Sequence, residues 1–180
     1  MTQMKLLLAA TLCGTLATSA FAAGSSSEEP PKPTQTSTDC KDGEVWDEES
    51  KSCLKSDAAA ITDDQRYHAA RELAYGGHYD RALLVLASAE NQDDPRILNY
   101  RGFTARKLGD MNAAMVFYGK ALAADPDYIL ARSYMAQGLL EQGDFAGAYA
   151  QLEQIELRGG TGTWAHRALV DAINGLPTNY

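Results

Sequence analysis

The sequence predicts an all-α fold in which helical hairpins of similar length stack one after another from Thr62 to residue 174. Apolar residues recur there at helical spacing, between residues that favour helix starts and ends. The segments GHYDRAL, GDMNAAM and GDFAGAY begin at Gly77, Gly109 and Gly143, so the offsets between them are 32 and 34. A hairpin of two short helices cannot bury its apolar face alone, so such units are expected to stack.

Residues 1–22 are expected to be an export signal that is cleaved after Ala22. The start MTQMK carries one positive charge, Leu6 opens an apolar run, and Ala20-Phe21-Ala22 places small residues at the cleavage positions. An uncleaved anchor is the alternative, because the apolar stretch up to Ala23 is long enough to span a bilayer. The chain is therefore expected in the periplasm or cell envelope of a bacterium, or secreted, with no stable membrane insertion after cleavage.

Residues 23–38 are predicted to be a disordered linker. From Gly24 to Thr38 the sequence has no aliphatic or aromatic residue and is rich in Ser, Thr, Pro and Glu. Nothing in it offsets the entropy lost on ordering, and its prolines favour an extended chain. It is either a spacer that holds the rest away from a membrane or wall, or a remainder left by signal cleavage.

Residues 39–57 are predicted to form a β-hairpin closed by a disulfide between Cys40 and Cys53. Turn residues separate two short segments, 44–47 and 51–54, that can pair as strands. The third cysteine leaves with the signal, so an even pair remains in an oxidising compartment. A redox pair usually has C-x-x-C spacing and a zinc site needs four ligands, so a structural bridge is favoured over both.

The helical domain, residues 62–174, is divided into repeats at about 63–94, 95–128 and 129–162, followed by a capping helix at 163–174. Within a unit, small residues such as Gly102 and Ala114 are expected to let the two helices approach closely, while Tyr118 fills the remaining gap. Helix starts are predicted from capping residues: Thr62 with Gln65, Asp94 before Pro95, Asp110 and Asp144. The domain should thus contain seven helices.

This pattern resembles the tetratricopeptide repeat family, whose units are about 34 residues long. The best match is carried by Leu98, Gly102, Ala105, Gly109, Ala114, Tyr118, Ala121 and Pro126. The first unit is two residues short, the third lacks the usual proline, and the large aromatic residue near each unit's start is missing. The resemblance implies a right-handed α-α superhelix of about three hairpins plus a cap.

The resemblance also implies a concave groove that is lined by the first helix of each unit and holds a peptide segment or helix of a partner protein. Carried over by repeat position, its lining residues are Tyr67, Arg71, Tyr75, Asn99, Phe103, Arg106, Lys107, Ser133 and Gln137. The lining is cationic and aromatic although the formal net charge is −8, which predicts a ligand with acidic groups and an apolar anchor.

Alternatively, the cations keep the helix surface hydrated and several of the aromatic residues pack between helices. The carboxylate clamp of some family members is not expected, because its positions hold Tyr67, Arg71, Tyr100, Leu130 and Tyr134.

The sequence predicts neither an enzyme nor a cofactor or metal site. It contains no G-x-S-x-G, H-E-x-x-H or Walker motif, and its three histidines show no metal-ligand spacing. The acidic balance argues against a nucleic-acid partner. The leading hypothesis is a non-catalytic protein-binding scaffold. The alternatives are a self-assembling structural protein of the envelope, with oligomers possible, and a carbohydrate or cell-wall binder that uses Trp46 of the β-hairpin.

Overall fold

The structure is a computed structural model that describes residues 29–178, and its helices follow one another as stacked hairpins. The elements are α1 (Gln35–Thr38), β1 (Glu44–Asp47), β2 (Ser52–Lys55), α2 (Asp63–Tyr75), α3 (Tyr79–Ala87), α4 (Pro95–Lys107), α5 (Met111–Ala124), α6 (Ile129–Glu141), α7 (Phe145–Leu157) and α8 (Trp164–Ile173). Helices α2 and α3, α4 and α5, and α6 and α7 pair as hairpins, and each pair packs on the next. The predicted export signal lies outside the described residues.

The helices begin and end where the sequence indicates. The Thr62 hydroxyl accepts a hydrogen bond from the Gln65 backbone N–H, and the Gln65 side chain accepts one from the Thr62 N–H, which forms the predicted capping box. Asp110 caps α5 in the same way, because its carboxylate accepts from the backbone N–H of Ala113. Gly109, between α4 and α5, has a φ of 89°, a left-handed conformation that glycine adopts without strain. The predicted helix caps at Thr62 and Asp110 are confirmed.

Close packing inside a unit depends on Gly102. A Cβ atom at this position would lie 2.7 Å from Cδ1 and Cε1 of Tyr118. Ala114 and Tyr118 on α5 are fully buried. The expectation that the small residues face the partner helix, with Tyr118 filling the gap, is confirmed.

The predicted β-hairpin is present, with one difference in its second strand. Strands β1 and β2 are antiparallel, with Trp46 opposite Cys53, and a disulfide joins Cys40 to Cys53. Lys51, predicted to begin the second strand, belongs to the turn because its φ is 52°. The strand therefore lies one residue later than predicted, at Ser52–Lys55.

The last part of the predicted linker is ordered, which corrects its predicted end at Thr38. Helix α1 lies on α2, and the Glu72 carboxylate accepts hydrogen bonds from the backbone N–H groups of Thr34 and Ser37 at 2.7 and 3.1 Å. Beyond the other end of α1, the Arg81 guanidinium donates to the carbonyl of Cys40 at 2.7 Å. Polar side chains of the first repeat thus provide the stabilisation that the linker sequence itself lacks.

A buried arginine joins the β-hairpin to the first repeat. Arg66 of α2 is only 1 % exposed, and its guanidinium donates to the carbonyls of Ser56 and Ala58 at 2.7 and 3.3 Å. It also forms an ion pair with Asp63 at 2.8 Å. The hairpin residue Val45 belongs to the same apolar core as the repeats. The hairpin is therefore packed on the helical stack at the first repeat.

The capping helix α8 lies mainly against α6, with a smaller contact to α7. The Ser133 hydroxyl donates a hydrogen bond to the Ala165 carbonyl at 2.8 Å. Leu169 is fully buried in a small core with α6 and α7 residues. Seven helices thus follow Thr62 within the described residues, as predicted, and none of the helices described is long and apolar enough to cross a membrane.

Candidate functional site

The predicted site residues lie on α2, α4 and α6, the first helices of the three pairs. Tyr67, Arg71 and Tyr75 are on α2, Asn99, Phe103, Arg106 and Lys107 are on α4, and Ser133 and Gln137 are on α6. Equivalent positions recur from unit to unit, as for Arg71, Phe103 and Gln137. Stacking of the units therefore places side chains from distant parts of the sequence side by side.

Four aromatic rings from four helices form a continuous group, which we call the aromatic cluster: Tyr75, Phe103, Tyr134 and Trp164. The rings of Tyr75 and Phe103 are stacked, with centroids 5.7 Å apart and an interplanar angle of 20°. The Phe103 and Tyr134 centroids are 5.0 Å apart, and those of Tyr75 and Trp164 are 6.4 Å apart. The hydroxyl oxygens of Tyr75 and Tyr134 are 2.6 Å apart, within hydrogen-bond distance.

Three cations lie over this cluster. The Arg71 guanidinium carbon is 5.7 Å from the centroid of the Tyr75 ring. The Arg106 guanidinium carbon and the Lys107 Nζ lie 5.7 and 5.6 Å from the centroid of Phe103. At these distances a cation is attracted to the face of an aromatic ring. The site therefore concentrates positive charge on an aromatic surface.

The ionisation of these groups follows from their surroundings. Burial raises the pKa of Tyr75 to about 12, and the hydrogen bond with Tyr134 only partly opposes that shift. Burial, followed by the charge of Arg106, lowers the pKa of Lys107. Arg106 also forms an ion pair with Glu141, with 2.6 Å between Nη1 and Oε1. The Tyr75 hydroxyl therefore stays neutral near pH 7, and the charged groups described at the site are its three cations and Glu141.

Part of the aromatic cluster and its cations is accessible to solvent. Phe103, Arg71 and Arg106 are buried, with exposed fractions of 0, 4 and 5 %. Tyr75 and Lys107 are half-buried, and so is Trp164 at the start of α8. A ligand that approaches this surface from solvent would therefore meet these half-buried side chains first.

Three predicted site residues have roles in packing between helices. The Tyr67 ring lies 4.8 Å beneath the Arg96 guanidinium, and Asn99 donates a long hydrogen bond, 3.5 Å, to the Tyr128 hydroxyl. The Ser133 hydroxyl donates a hydrogen bond to the Ala165 carbonyl of α8. Tyr67, Asn99 and Ser133 are therefore buried residues whose described contacts lie between helices. Gln137 lies near the cluster on α6 but is buried, and its amide donates to the Ser133 hydroxyl at 3.2 Å.

Sequence reasoning missed two members of the cluster, Tyr134 and Trp164. Tyr134 and Tyr100 occupy equivalent positions of the third and second units. The repeat offset is therefore a signal that predicts neighbouring positions for these two tyrosines on stacked helices. Trp164 falls in the predicted capping helix at 163–174. Its contact with Tyr75 of α2 depends on how α8 lies over α6, which no sequence pattern indicates.

The β-hairpin does not present Trp46 as an exposed tip. The Trp46 side chain is half-buried, and its indole Nε1 is shielded from solvent. Its backbone N–H donates to the Thr36 hydroxyl of α1 at 3.1 Å. Within residues 29–178 there is also no group of three or more His, Cys, Asp or Glu side chains arranged to hold a metal ion.

Comparison with known proteins relates the central and last repeats to a known family. Residues 105–168 match the family model described as tetratricopeptide repeat. Tetratricopeptide repeat protein 36 from Homo sapiens is 34 % identical over 79 residues, and the protein of the same name from Mus musculus is 35 % identical over 78 residues. Each match covers 43 % of this chain and 42 % of the relative, so the chain spans less than half the length of these relatives. No solved structure matches.

Proposed function

We propose that this chain, whose residues 105–168 match the tetratricopeptide repeat family, is a non-catalytic scaffold that binds a protein partner. The partner's segment, extended or helical, lies along the inner helices α2, α4 and α6. The observation that carries this proposal is the set of three cations over the aromatic cluster in a chain with a formal net charge of −8.

The chemistry of this surface defines the ligand. Guanidinium and ammonium groups bind carboxylates through charge-assisted hydrogen bonds, and a partly desolvated aromatic surface favours an apolar or aromatic side chain. The matching ligand is a segment in which acidic residues flank one large apolar anchor. Nucleic acid would encounter an acidic protein with only a small cationic area, which does not favour its binding.

The proposed site is narrower than the one expected from repeat position alone. It consists of Arg71, Tyr75, Phe103, Arg106 and Lys107, together with Gln137, Tyr134 and Trp164. Lys107 and Tyr75, which are half-buried, make the first contact with the partner. Arg71 and Arg106 are buried behind them, and they contribute positive charge that attracts the carboxylates of the partner.

We further propose that the protein acts outside the cytoplasm, in the periplasm or cell envelope. The export signal predicted over residues 1–22 and the even pair of cysteines joined as Cys40–Cys53 support this location. Intact-mass measurement of the protein recovered from its own cells tests it. A mature chain that begins at Ala23 is expected, and a cytoplasmic protein that retains residues 1–22 contradicts the proposal.

The binding proposal is tested with labelled peptides of defined sequence and the full mature chain. We expect the peptide GEEFEEG to bind, and we expect GEEAEEG and GKKFKKG to bind more weakly, because they lack the anchor or carry the opposite charge. Lys107→Glu should weaken the binding of GEEFEEG by about tenfold or more, since it replaces attraction by repulsion at the accessible cation.

Lys120→Glu is the matched control, because Lys120 is exposed on α5 and its substitution changes the net charge equally. Circular dichroism checks that both variants are folded. Equal binding of all three peptides, or equal loss of affinity in both variants, would show that the surface over the aromatic cluster does not select acidic ligands.

A further inference from the structure

A second apolar surface, independent of the proposed groove, lies on α7. Phe145 and Tyr149 have exposed fractions of 59 and 55 %. They are four residues apart and therefore lie on the same face of the helix. Ala146 and Ala150 are also exposed beside them, and we call these four residues the α7 face.

The earlier repeats indicate what this face is shaped to contact. Phe145 and Tyr149 stand at the repeat positions that Met111 and Met115 occupy on α5. Both methionines are half-buried against the main core. A Cβ atom at Gly138 of α6 would lie 3.2 Å from the Met111 Sδ and would also collide with the Met115 methyl group. At this position, large apolar side chains thus pack on a site of the next helix that has no side chain.

The same position is covered in the first repeat. Tyr79 and Leu83 of α3, the equivalents of the two methionines in that repeat, are half-buried and pack against the main core as α3 meets α4. In the third repeat the next helix, α8, lies mainly on α6. The α7 face therefore remains open where its two counterparts are covered by a helix.

We propose that a second copy of this chain covers the α7 face, through pairing of the two α7 helices about a two-fold axis. The face carries both the large apolar residues and the small residues that such packing needs. In a two-fold arrangement, the aromatic side chains of each copy lie over Ala146 and Ala150 of the other, as the methionines of α5 lie over Gly138. A partner helix that presents only large or only small residues would be complementary to only half of the α7 face.

The negative charge of the chain opposes this pairing, and it makes the affinity between two copies depend on the salt concentration. Each chain has a formal net charge of −8, and Glu153 and Glu156 are exposed further along α7. Two copies therefore repel each other, and added salt screens this repulsion. A single helix face is also small for a stable interface, so a dissociation constant of about a micromolar or weaker is expected.

Light scattering and sedimentation of the full mature chain test this proposal. The average mass should rise from monomer towards dimer with protein concentration, and the rise should occur at lower concentration in high salt. The variant Phe145→Ser/Tyr149→Ser should remain a monomer. Leu84→Ser/Val116→Ser is the matched control, because it removes two equally exposed apolar residues from α3 and α5, and it should still dimerise.

A crosslinking measurement identifies the face directly. Ala150→Cys should be joined to its counterpart in a second copy by a bismaleimide crosslinker, because the two-fold pairing places this position of both copies in the interface. Ala123→Cys, an exposed position on α5, should not. A wild-type chain that stays monomeric at about millimolar concentration in high salt overturns the proposal. Dimerisation of the folded Phe145→Ser/Tyr149→Ser variant would also overturn the proposal.

Discussion

At Gly102, the absence of a side chain determines how closely α4 and α5 pack. The ring of Tyr118 occupies the position where a Cβ atom would lie, and Tyr118 is itself fully buried. Protein interiors tolerate added atoms poorly, since neighbouring side chains must leave their preferred rotamers. Because Gly102 has only a hydrogen atom as its side chain, the Tyr118 ring can fill the space between the two helices of the central unit.

Gly102→Ala is expected to lower the free energy of unfolding by about 1–3 kcal/mol, because the new methyl group would lie 2.7 Å from the Tyr118 ring. Gly119→Ala is the matched control on α5, where an added Cβ meets nothing within 4 Å. It should raise stability by about 0.5–1 kcal/mol through better helix propensity. Urea unfolding measures both, and equal effects of the two substitutions would refute the packing explanation.

The residues of the candidate site show how far sequence reasoning extends at this scale. Repeat spacing correctly placed Tyr75, Phe103 and Lys107 on the first helices of their units. It could not separate residues beside the aromatic cluster from those that pack between helices, such as Tyr67 and Ser133. That distinction depends on the rotation of each helix and on the position of α8, which are determined by tertiary packing. The binding role of the site remains a prediction.

At the scale of elements, α1 is held at both ends by the first repeat. A carboxylate, Glu72, accepts from backbone N–H groups at its start, and the guanidinium of Arg81 donates to carbonyl oxygens at its end. Both charges complement the helix dipole. A four-residue helix is not stable alone, so the sequence of residues 23–38 could not predict it. The longer helices α2 to α8 could be predicted because their spacing and capping signals are local.

Glu72→Ala is expected to release α1 without unfolding the repeats. It removes acceptors of three hydrogen bonds, which lie 2.7, 2.6 and 3.1 Å from the Thr34 backbone, the Thr34 hydroxyl and the Ser37 backbone. Each lost bond to a charged group costs about 1.5–3 kcal/mol. Hydrogen exchange should accelerate in residues 34–40 only. Glu153→Ala, on the exposed side of α7, should change nothing there, and unchanged protection in Glu72→Ala would refute the role of this carboxylate.

The disulfide is expected to stabilise the β-hairpin and not the repeats. Cys40 and Cys53 are separated by 13 positions, and closing a loop of this size contributes about 3 kcal/mol. In Cys40→Ser/Cys53→Ser, faster hydrogen exchange is expected in residues 40–55, while circular dichroism should retain the helical signal. A loss of helical signal throughout the repeats at room temperature would contradict the expectation that the disulfide stabilises only the β-hairpin.

At the scale of the whole molecule, buried tyrosines connect the repeats to one another and make folding sensitive to alkali. Burial raises the pKa of Tyr75 and of Tyr118 to about 12, and it raises the pKa of Tyr100 and Tyr128 well above the usual value. The unfolded chain loses these protons at lower pH than the folded chain does. The stability that they provide is therefore complete below the ordinary pKa and is lost as pH rises.

The free energy of unfolding should accordingly fall between about pH 10 and pH 12. Urea titrations at several pH values, followed by circular dichroism, measure the slope, and ultraviolet absorbance reports tyrosinate. Tyr75→Phe/Tyr118→Phe should show a shallower decline than the wild type, because two of the groups no longer titrate. A wild-type stability that stays constant over this range would contradict the prediction.

The buried Arg66 also decides where the chain can be shortened. Its guanidinium depends on carbonyl oxygens of Ser56 and Ala58, both of which precede the first repeat. A fragment that starts at Thr62 would lose both carbonyl acceptors and would leave this buried cation with its ion pairs to Asp63 and Glu90. Expression of the repeats as a separate module should therefore begin ahead of Cys40, since the boundary visible in the sequence is not a boundary of folding.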